Sequence, residues 1–394
     1  MSFVLTLLLA LLATPAIVSC VYLFVLTMLS ASLPPPPPSS RRLRFDVIVP
    51  AHNEAAVIER TVASLRRIDW PADRFHMLVI ADNCTDDTAA LARSAGADVL
   101  ERRHETLRGK GYALDFAFAA SRRAGRADAV VVIDADSEVS ANLLEAFATR
   151  LETGAMAVQA HYGILNPLAS WRTRLITIAK ASFHIARSRA RERLGLSCGI
   201  RGNGWCVSHR LLVEVPYRAF SLTEDLEYGI TLGLAGHRVH YADEAHSDAD
   251  MVTSEQTAGT QRQRWEDGRF HLIRAMTLPL LRAAITRRSA VCFDLAMDLL
   301  VLPLSYVALN VVAFILVASL GVLLTNGAVV WLWLSLTCLG TLVLYVLRGV
   351  QLSGLGLQGL IDLARAPFFV FWKVILMLRR RNAKGWVRTD REDS

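Results

Sequence analysis

Histidine and cysteine, the residues that hold zinc or build disulfide frameworks, are not spaced for either task in this sequence. Six cysteines are scattered without a C-x-x-C pair. Most lie in apolar surroundings, so reduced, packed thiols in a cytosolic setting are expected. His52, His104 and His161 are not placed as metal ligands and read as ordinary surface or packed histidines. The Gly-x-Gly-x-x-Gly turn of a dinucleotide fold is missing after the first apolar run, where the chain reads Pro50-Ala51-His52-Asn53-Glu54. That argues against a nicotinamide dehydrogenase. The same turn lacks the Gly-rich phosphate loop of a nucleotidyltransferase. The net charge of +7 comes with no nucleic-acid-binding motif, so nucleic acid is not an expected partner. Charge is wholly missing from Ser2 to Leu33. Without a basic start, and with so long an apolar run, this segment reads as a membrane anchor rather than a signal peptide.

What the sequence has in excess is hydrophobic residues, 53% of 394, with a positive mean hydropathy. A soluble domain flanked by membrane helices fits that composition. After the anchor (1–33) comes a linker (34–44), with Pro34 to Pro38 as a stiff spacer, then Arg41, Arg42 and Arg44. The arginines place the next domain (45–285) in the cytoplasm. Beyond Arg287 and Arg288, a hairpin of apolar segments (286–349) is expected, broken early by Asp294, Asp298 and Pro303 and turning at Thr325-Asn326-Gly327. The segment 350–394 reads as an interfacial helix or an extra span, closed by Arg379 to Arg381, and a tail. A multi-pass protein of the inner cell membrane follows, with about three spans.

The stretch that organises the domain is Val130-Val131-Val132-Ile133-Asp134-Ala135-Asp136. A short β-branched run reads as a buried parallel strand. Alternation would point both aspartates to one side, at the carboxyl end of a strand where α/β sheets bind ligands. Two close carboxylates there suit Mg²⁺ or Mn²⁺ shared with substrate phosphates. Earlier strands are expected at Phe45–Pro50, Met77–Ile80 and Asp98–Leu100, alternating with helices from Ala55, from Thr85 or Asp86, and from Tyr112. This alternation predicts a mostly parallel sheet with helices on both faces. Further on, a strand at Ala155–Gln159, a long helix from Trp171 to Leu194, and a last strand at Val239–Tyr241 are expected. Gly199, Gly202 and Gly204 break the helix and would let backbone approach a ligand. Thr223 or Asp225 reads alternatively as a helix cap.

Val-Pro-Ala-His-Asn-Glu ending at Glu54, Asp82 in its Asp-Asn-Cys-Thr-Asp loop, Asp134-x-Asp136, Thr223-Glu224-Asp225 and Gln261-x-x-Arg264-Trp265 occur in that order. Together they resemble the membrane-bound family 2 glycosyltransferases, the group of cellulose, hyaluronan and chitin synthases and ceramide-type glucosyltransferases. The resemblance covers roughly Phe45 to Arg274. It implies an α/β GT-A fold, a nucleotide-sugar donor such as a UDP-sugar, a divalent metal and inversion at the anomeric carbon. By that resemblance Asp225 is the catalytic base, Asp136 and Asp134 hold the metal, and Pro50, Ala51, Glu54, Asp82, Lys110 and Asp134 bind the nucleotide sugar. Glu224, Gln261, Arg264 and Trp265 then serve the acceptor and diphosphate, with Arg264 suited to phosphate by its planar fork and Trp265 to stacking on a sugar.

The acceptor stays open between a membrane lipid and a growing polysaccharide, as does single against repeated transfer and the oligomeric state. Three spans are sparse for a polymer channel, which keeps the lipid competitive. The rival from another class is a membrane scaffold that binds nucleotide sugar without chemistry.

Overall fold

The computed structural model describes residues 3–251 and 255–365, with backbone alone at 255–265 and 326. In chain order the helices are α1 (Phe3–Met28), α2 (Ile58–Leu65), α3 (Thr88–Ser94), α4 (Lys110–Ala124), α5 (Leu143–Glu152), α6 (Trp171–Lys180), α7 (Arg187–Arg193), α8 (His209–Glu214), α9 (Glu224–Leu234), α10 (Glu255–Thr286), α11 (Ala290–Leu300), α12 (Leu304–Leu324), α13 (Val329–Ser353) and α14 (Gly356–Leu363). The strands are β1 (Phe45–Ala51), β2 (Phe75–Asp82), β3 (Asp98–Arg102), β4 (Ala129–Val132), β5 (Ser137–Val139), β6 (Ala157–Ile164), β7 (Trp205–Ser208) and β8 (His240–Ala249). The described residues form two compact units, one from 3–31, 174–193 and 297–365, the other from 32–173, 194–251 and 255–296.

The larger unit is built on one sheet, ordered β3-β2-β1-β4-β7-β6-β8-β5. β1 to β4 run parallel. β7 runs against both its neighbours, β6 and β8 are parallel, and β5 closes the edge against β8. The apolar runs are continuous because both faces are covered. Val47, Val49 and Val131 pack into one core, whereas Ile48, Val130 and Val132 pack into the other.

Several local expectations are corrected. β4 ends at Val132, and Asp134 and Asp136 lie in the turn beyond it. Strand alternation therefore does not orient the pair; the turn does. Pro34 to Pro38 is no free spacer. The Pro37 carbonyl accepts from Thr149 Oγ1 at 3.2 Å, and Ser39 and Ser40 donate to Glu145 and Glu152, so α5 carries the linker. The long helix from Trp171 is interrupted by a π-turn at Ala181–Ala186, which shifts its facing side chains. β5 and the long run of β8 to Ala249 carry too few apolar residues to be read in advance.

The smaller unit is helical. Leu9, Ala13, Ala16, Cys20 and Leu23 of α1 pack with Val307, Val311, Phe314 and Ala318 of α12 and with Cys338, Leu342 and Tyr345 of α13. These positions fall three or four apart, one stripe per helix. The opposite faces expose Leu11, Leu316, Leu323 and Trp333. Among the described residues, α1, α12 and α13 are long and apolar enough to cross a membrane. α11 carries the two aspartates, and its Met297 packs against the same core. Asp298 accepts from buried Arg187 at 3.1 Å and pairs with buried Arg191 at 2.8 Å. Arg187 also donates to the Tyr345 hydroxyl at 2.9 Å and Arg191 to that of Tyr22. Past α14, the expected tail at 366–394, including Arg379 to Arg381, lies outside the described residues.

Candidate functional site

The site lies at the carboxyl ends of β1, β2 and β4, where three loops converge. The first two loops are knitted by Asn53, whose Nδ2 donates to Thr85 Oγ1 at 3.1 Å and whose Oδ1 accepts from Thr85 N at 2.7 Å. Pro50 and Ala51 end β1 in register with Ile80 and Ala81. Glu54 N donates to Thr88 Oγ1 at 2.8 Å, which sets the Glu54 turn against the start of α3. Asp86 accepts from the backbone N of Thr88, the first residue of α3, at 3.1 Å. Asp82 is buried at the end of β2. Its carboxylate accepts from Arg102 Nη1 and from Asn83 Nδ2, and its carbonyl bonds His52 Nδ1 at 2.7 Å. Arg102 thus belongs to this corner, although no motif marks it.

The third loop carries Asp134 and Asp136. Lys110, the first residue of α4, donates to Asp134 Oδ1 and, at 2.7 Å, to the Gly202 carbonyl. Glu224 Oε1 lies 3.9 Å from the same ammonium. Burial works against that charge, but Asp134, Glu224 and Asp225 outweigh it and hold the lysine above its ordinary range. Asp134 N donates to Asn203 Oδ1 at 3.0 Å, and Asn203 Nδ2 donates to Ser137 Oγ at 2.9 Å. Gln159 on β6 supports the loop from below, donating to the Asn203 carbonyl at 2.7 Å and accepting from Arg201 N at 2.8 Å. Arg60 Nη2 donates to the Asp136 carbonyl at 3.4 Å and pairs with Asp250.

Asp225 enters from the start of α9. A Cβ placed on Gly202 would lie 3.2 Å from Asp225 Oδ2, and Gly202 has φ +90°. Burial raises the Asp225 carboxyl, with Lys110 and Arg201 opposing. Burial also pushes Glu224 up to about 7, Lys110 opposing and Asp225 adding. Tyr162 on β6 joins the carboxylates: burial first, then the charges of Asp134, Asp136 and Asp225, raises its hydroxyl well above the usual phenol range. One field therefore spans Asp136 and Asp225. The helix-cap reading of Thr223 does not hold, because it occupies the cap position of α9 without a capping bond. Its Oγ1 is buried without a partner among the described residues.

Gln261, Arg264 and Trp265 fall on the backbone of α10. Their side chains lie outside the described residues. One turn on, Gly268 abuts Thr223, where a Cβ would stand 2.5 Å from Thr223 Cγ2. The α10 backbone thus passes the start of α9 by close approach.

Among the described residues, four carboxylates (Asp134, Asp136, Glu224, Asp225) face two cations, Lys110 and Arg201. The excess is negative and the donors are hard oxygens, which fits a hard divalent cation. Among the described residues no three His, Cys, Asp or Glu side chains form a closed cage. Mg²⁺ held by one or two carboxylates plus substrate phosphates needs none. Of the residues the sequence pattern did not single out, Tyr162, Arg201, Asn203 and Gln159 come from β6 and the glycine run. The glycines alone signalled that backbone comes close there.

Comparison with known proteins gives the context. The model of glycosyl transferase family 2 matches residues 46–208, and that of glycosyl transferase family group 2 matches residues 129–378. Probable glycosyltransferase YdaM of Bacillus subtilis (strain 168) is 24% identical over 267 residues, 64% of this chain and 60% of that one. Beta-monoglucosyldiacylglycerol synthase of Synechocystis sp. is 28% identical over 236 residues, 57% of this chain and 47% of that one. The chain thus spans about half the length of the curated relatives it matches. The mannosyltransferase PcManGT from Pyrobaculum calidifontis, solved with GDP-Man and Mn²⁺, superposes with a TM-score of 0.53 at 16% identity, covering 86% of this chain and 99% of that one. At that identity the likeness speaks for the GT-A fold alone. With that second model matching residues 129–378, more than half of its length, the chain belongs to glycosyl transferase family group 2.

Proposed function

We propose that the protein is an inverting, metal-dependent, membrane-anchored hexosyltransferase that moves a sugar from a UDP-sugar to the hydroxyl of a lipid acceptor. The observation that carries the reading is the gathering of carboxylates around Lys110, which donates to Asp134 and to the Gly202 carbonyl and lies 3.9 Å from Glu224, with Asp225 set against Gly202.

In this reading Asp82 and Glu54, with Pro50 and Ala51 shaping the β1 exit, receive base and ribose. Asp136, supported by Asp134, would hold Mg²⁺ or Mn²⁺. That ion supplies charge stabilisation to the departing diphosphate. Lys110 orients Asp134 through its ammonium, while Asn203 fixes the turn that carries it. Asp225 accepts the proton of the attacking hydroxyl; its raised affinity for protons suits a general base. Gly202 keeps the space beside that carboxylate open. Gln261, Arg264 and Trp265 on α10 serve diphosphate and acceptor, beside α9 through Gly268.

The lipid acceptor draws support from three membrane-length helices and from relatives named for a diacylglycerol glycolipid. Relatives named glucomannan mannosyltransferases keep a polysaccharide acceptor as the second reading. Basic flanks such as Arg41, Arg42 and Arg348 support a catalytic unit on the cytoplasmic side of the membrane. A non-catalytic scaffold is disfavoured because both the base and the carboxylate pair are present. The test is nucleotide release by the purified protein with Mn²⁺ and a panel of UDP-sugars, with mass spectrometry of the product formed in native lipid. A lipid bearing one sugar supports the proposal. A long glycan redirects it, and unchanged turnover in Asp225→Asn removes the base.

A further inference from the structure

Two loops meet beside Lys110 and Glu224. Gly111, in the first turn of α4, lies against Ala219: a Cβ there would stand 2.4 Å from the Ala219 carbonyl oxygen. Next to it the rings of Tyr112 and Phe220 stack, centroids 4.5 Å apart and planes 11° from parallel. This closure holds the segment 103–109, which leads into Lys110, beside the segment 216–222, which leads into Glu224.

What the two segments turn outward is amphiphilic. Leu107, Phe220 and Leu222 are 41%, 41% and 44% exposed. Arg103, Arg108 and Arg218 are exposed among them, and Glu105 is the one carboxylate in either segment. Single exposed apolar side chains are ordinary. Three on adjoining loops beside a site, with three exposed arginines in the same two loops, are not scattered. An apolar protein partner would not call for the arginines, and a nucleic acid would not call for the leucines. A lipid surface calls for both: apolar tips enter below the headgroups while guanidinium groups stay level with anionic phosphates. The same chain carries three helices fit to cross a bilayer, so lipid is always near.

We propose that this rim is a lipid-contact surface. Leu107, Phe220 and Leu222 enter the headgroup region, Arg108 and Arg218 meet anionic headgroups, and the adjacent site receives its acceptor from the bilayer. The inference rests on reading α1, α12 and α13 as membrane spans.

The test uses the full chain in nanodiscs of phosphatidylethanolamine and phosphatidylglycerol, with a photoreactive benzoylphenylalanine replacing one residue at a time. Leu222 is the test position. Val213 on α8 is an exposed apolar control, set at the opposite end of the strands from the site because β7 runs against β4 and leads into α8. Leu316 in α12 reports on the span itself. Leu222 is expected to form lipid adducts severalfold above Val213, and severalfold fewer when phosphatidylcholine replaces both lipids. Adducts at Leu222 no higher than at Val213, with Leu316 labelled, overturn the rim. Leu222 adducts equal in both lipid mixtures overturn the role of the arginines. No adducts at Leu316 overturn the membrane reading first, and the rim with it.

Discussion

Asp225 and Gly202 face each other so closely that a methyl group on Gly202 would come within 3.2 Å of Asp225 Oδ2. The glycine also holds φ +90°, where a side chain is strained. Its carbonyl anchors Lys110 at 2.7 Å. One residue without a side chain therefore sets the position of the proposed base and of the lysine that organises the carboxylates.

Gly202→Ala is expected to displace Asp225 and lower turnover by about 10- to 100-fold, since small misplacements of reacting groups are costly. Nucleotide release reads the loss. A thermal midpoint close to wild type would show that the site, not the fold, is affected. Full activity in this variant would mean that Asp225 does not need its observed position.

The close approach of α10 to α9 makes a second demand. A Cβ on Gly268 would stand 2.5 Å from Thr223 Cγ2, so Gly268→Leu must push the start of α9 away. Turnover is expected to fall while donor affinity, read by calorimetric UDP titration, changes little. An equal fall in both would place the effect on the whole unit instead.

Metal removal follows from the excess of carboxylates over cations. Chelation with EDTA should abolish turnover and added Mn²⁺ should restore it. Asp136→Asn should lose on the order of a thousandfold, the several kcal/mol of charge stabilisation a metal supplies, and excess Mn²⁺ should not rescue it. Turnover undiminished by chelation would sink the metal reading.

At the opposite ends of β1 and β2, buried Asp46 accepts from Ser121 and pairs with His76, which also meets Asp98. The bond to Asp46 raises His76 against the lowering effect of burial, with Asp98 helping. Burial pushes Asp46 up, but His76, Ser121 and Arg126 bring it below its ordinary value. The His76 contribution is complete below about 6.5 and is lost as pH rises through its raised value. The Asp46 contribution is complete above about 4 and is lost as pH falls through its lowered value. The stability difference between wild type and His76→Gln should therefore be largest near pH 5.5 and shrink by about pH 9. Thermal melts across that range check it; a difference that grows with pH contradicts the pairing.

Asp298 faces two buried guanidinium groups, Arg187 and Arg191. Asp298→Ala strands both and should cost about 3–5 kcal/mol, as breaking a buried ion pair does. Arg187→Met should cost less, because Arg191 still meets the aspartate at 2.8 Å. Thermal inactivation of the detergent-solubilised protein ranks the two; the reverse order would show that the carboxylate is not the hub.

Much of this molecule is written in short-range pattern. β-branched runs such as Val130 to Ile133 mark strands buried on both faces, polar loops at their ends mark where a ligand sits, and uncharged runs of membrane length mark α1, α12 and α13. These signals are legible because hydrophobic burial and helix or strand periodicity act over a few residues at a time. Which charges meet is another matter. Lys110 reads as a nucleotide-sugar ligand by resemblance alone until folding sets it between Asp134 and Glu224. Asp294 and Asp298 read as interruptions of a span until Asp298 is seen between two arginines more than a hundred residues away. The orientation of Asp134 and Asp136 came from a turn rather than from the strand, and Gly202 became a determinant of Asp225 only through space. Local pattern determined the elements and the chemistry at their ends. Tertiary structure decided the pairings, because a charge leaves water only where a distant partner is brought to meet it.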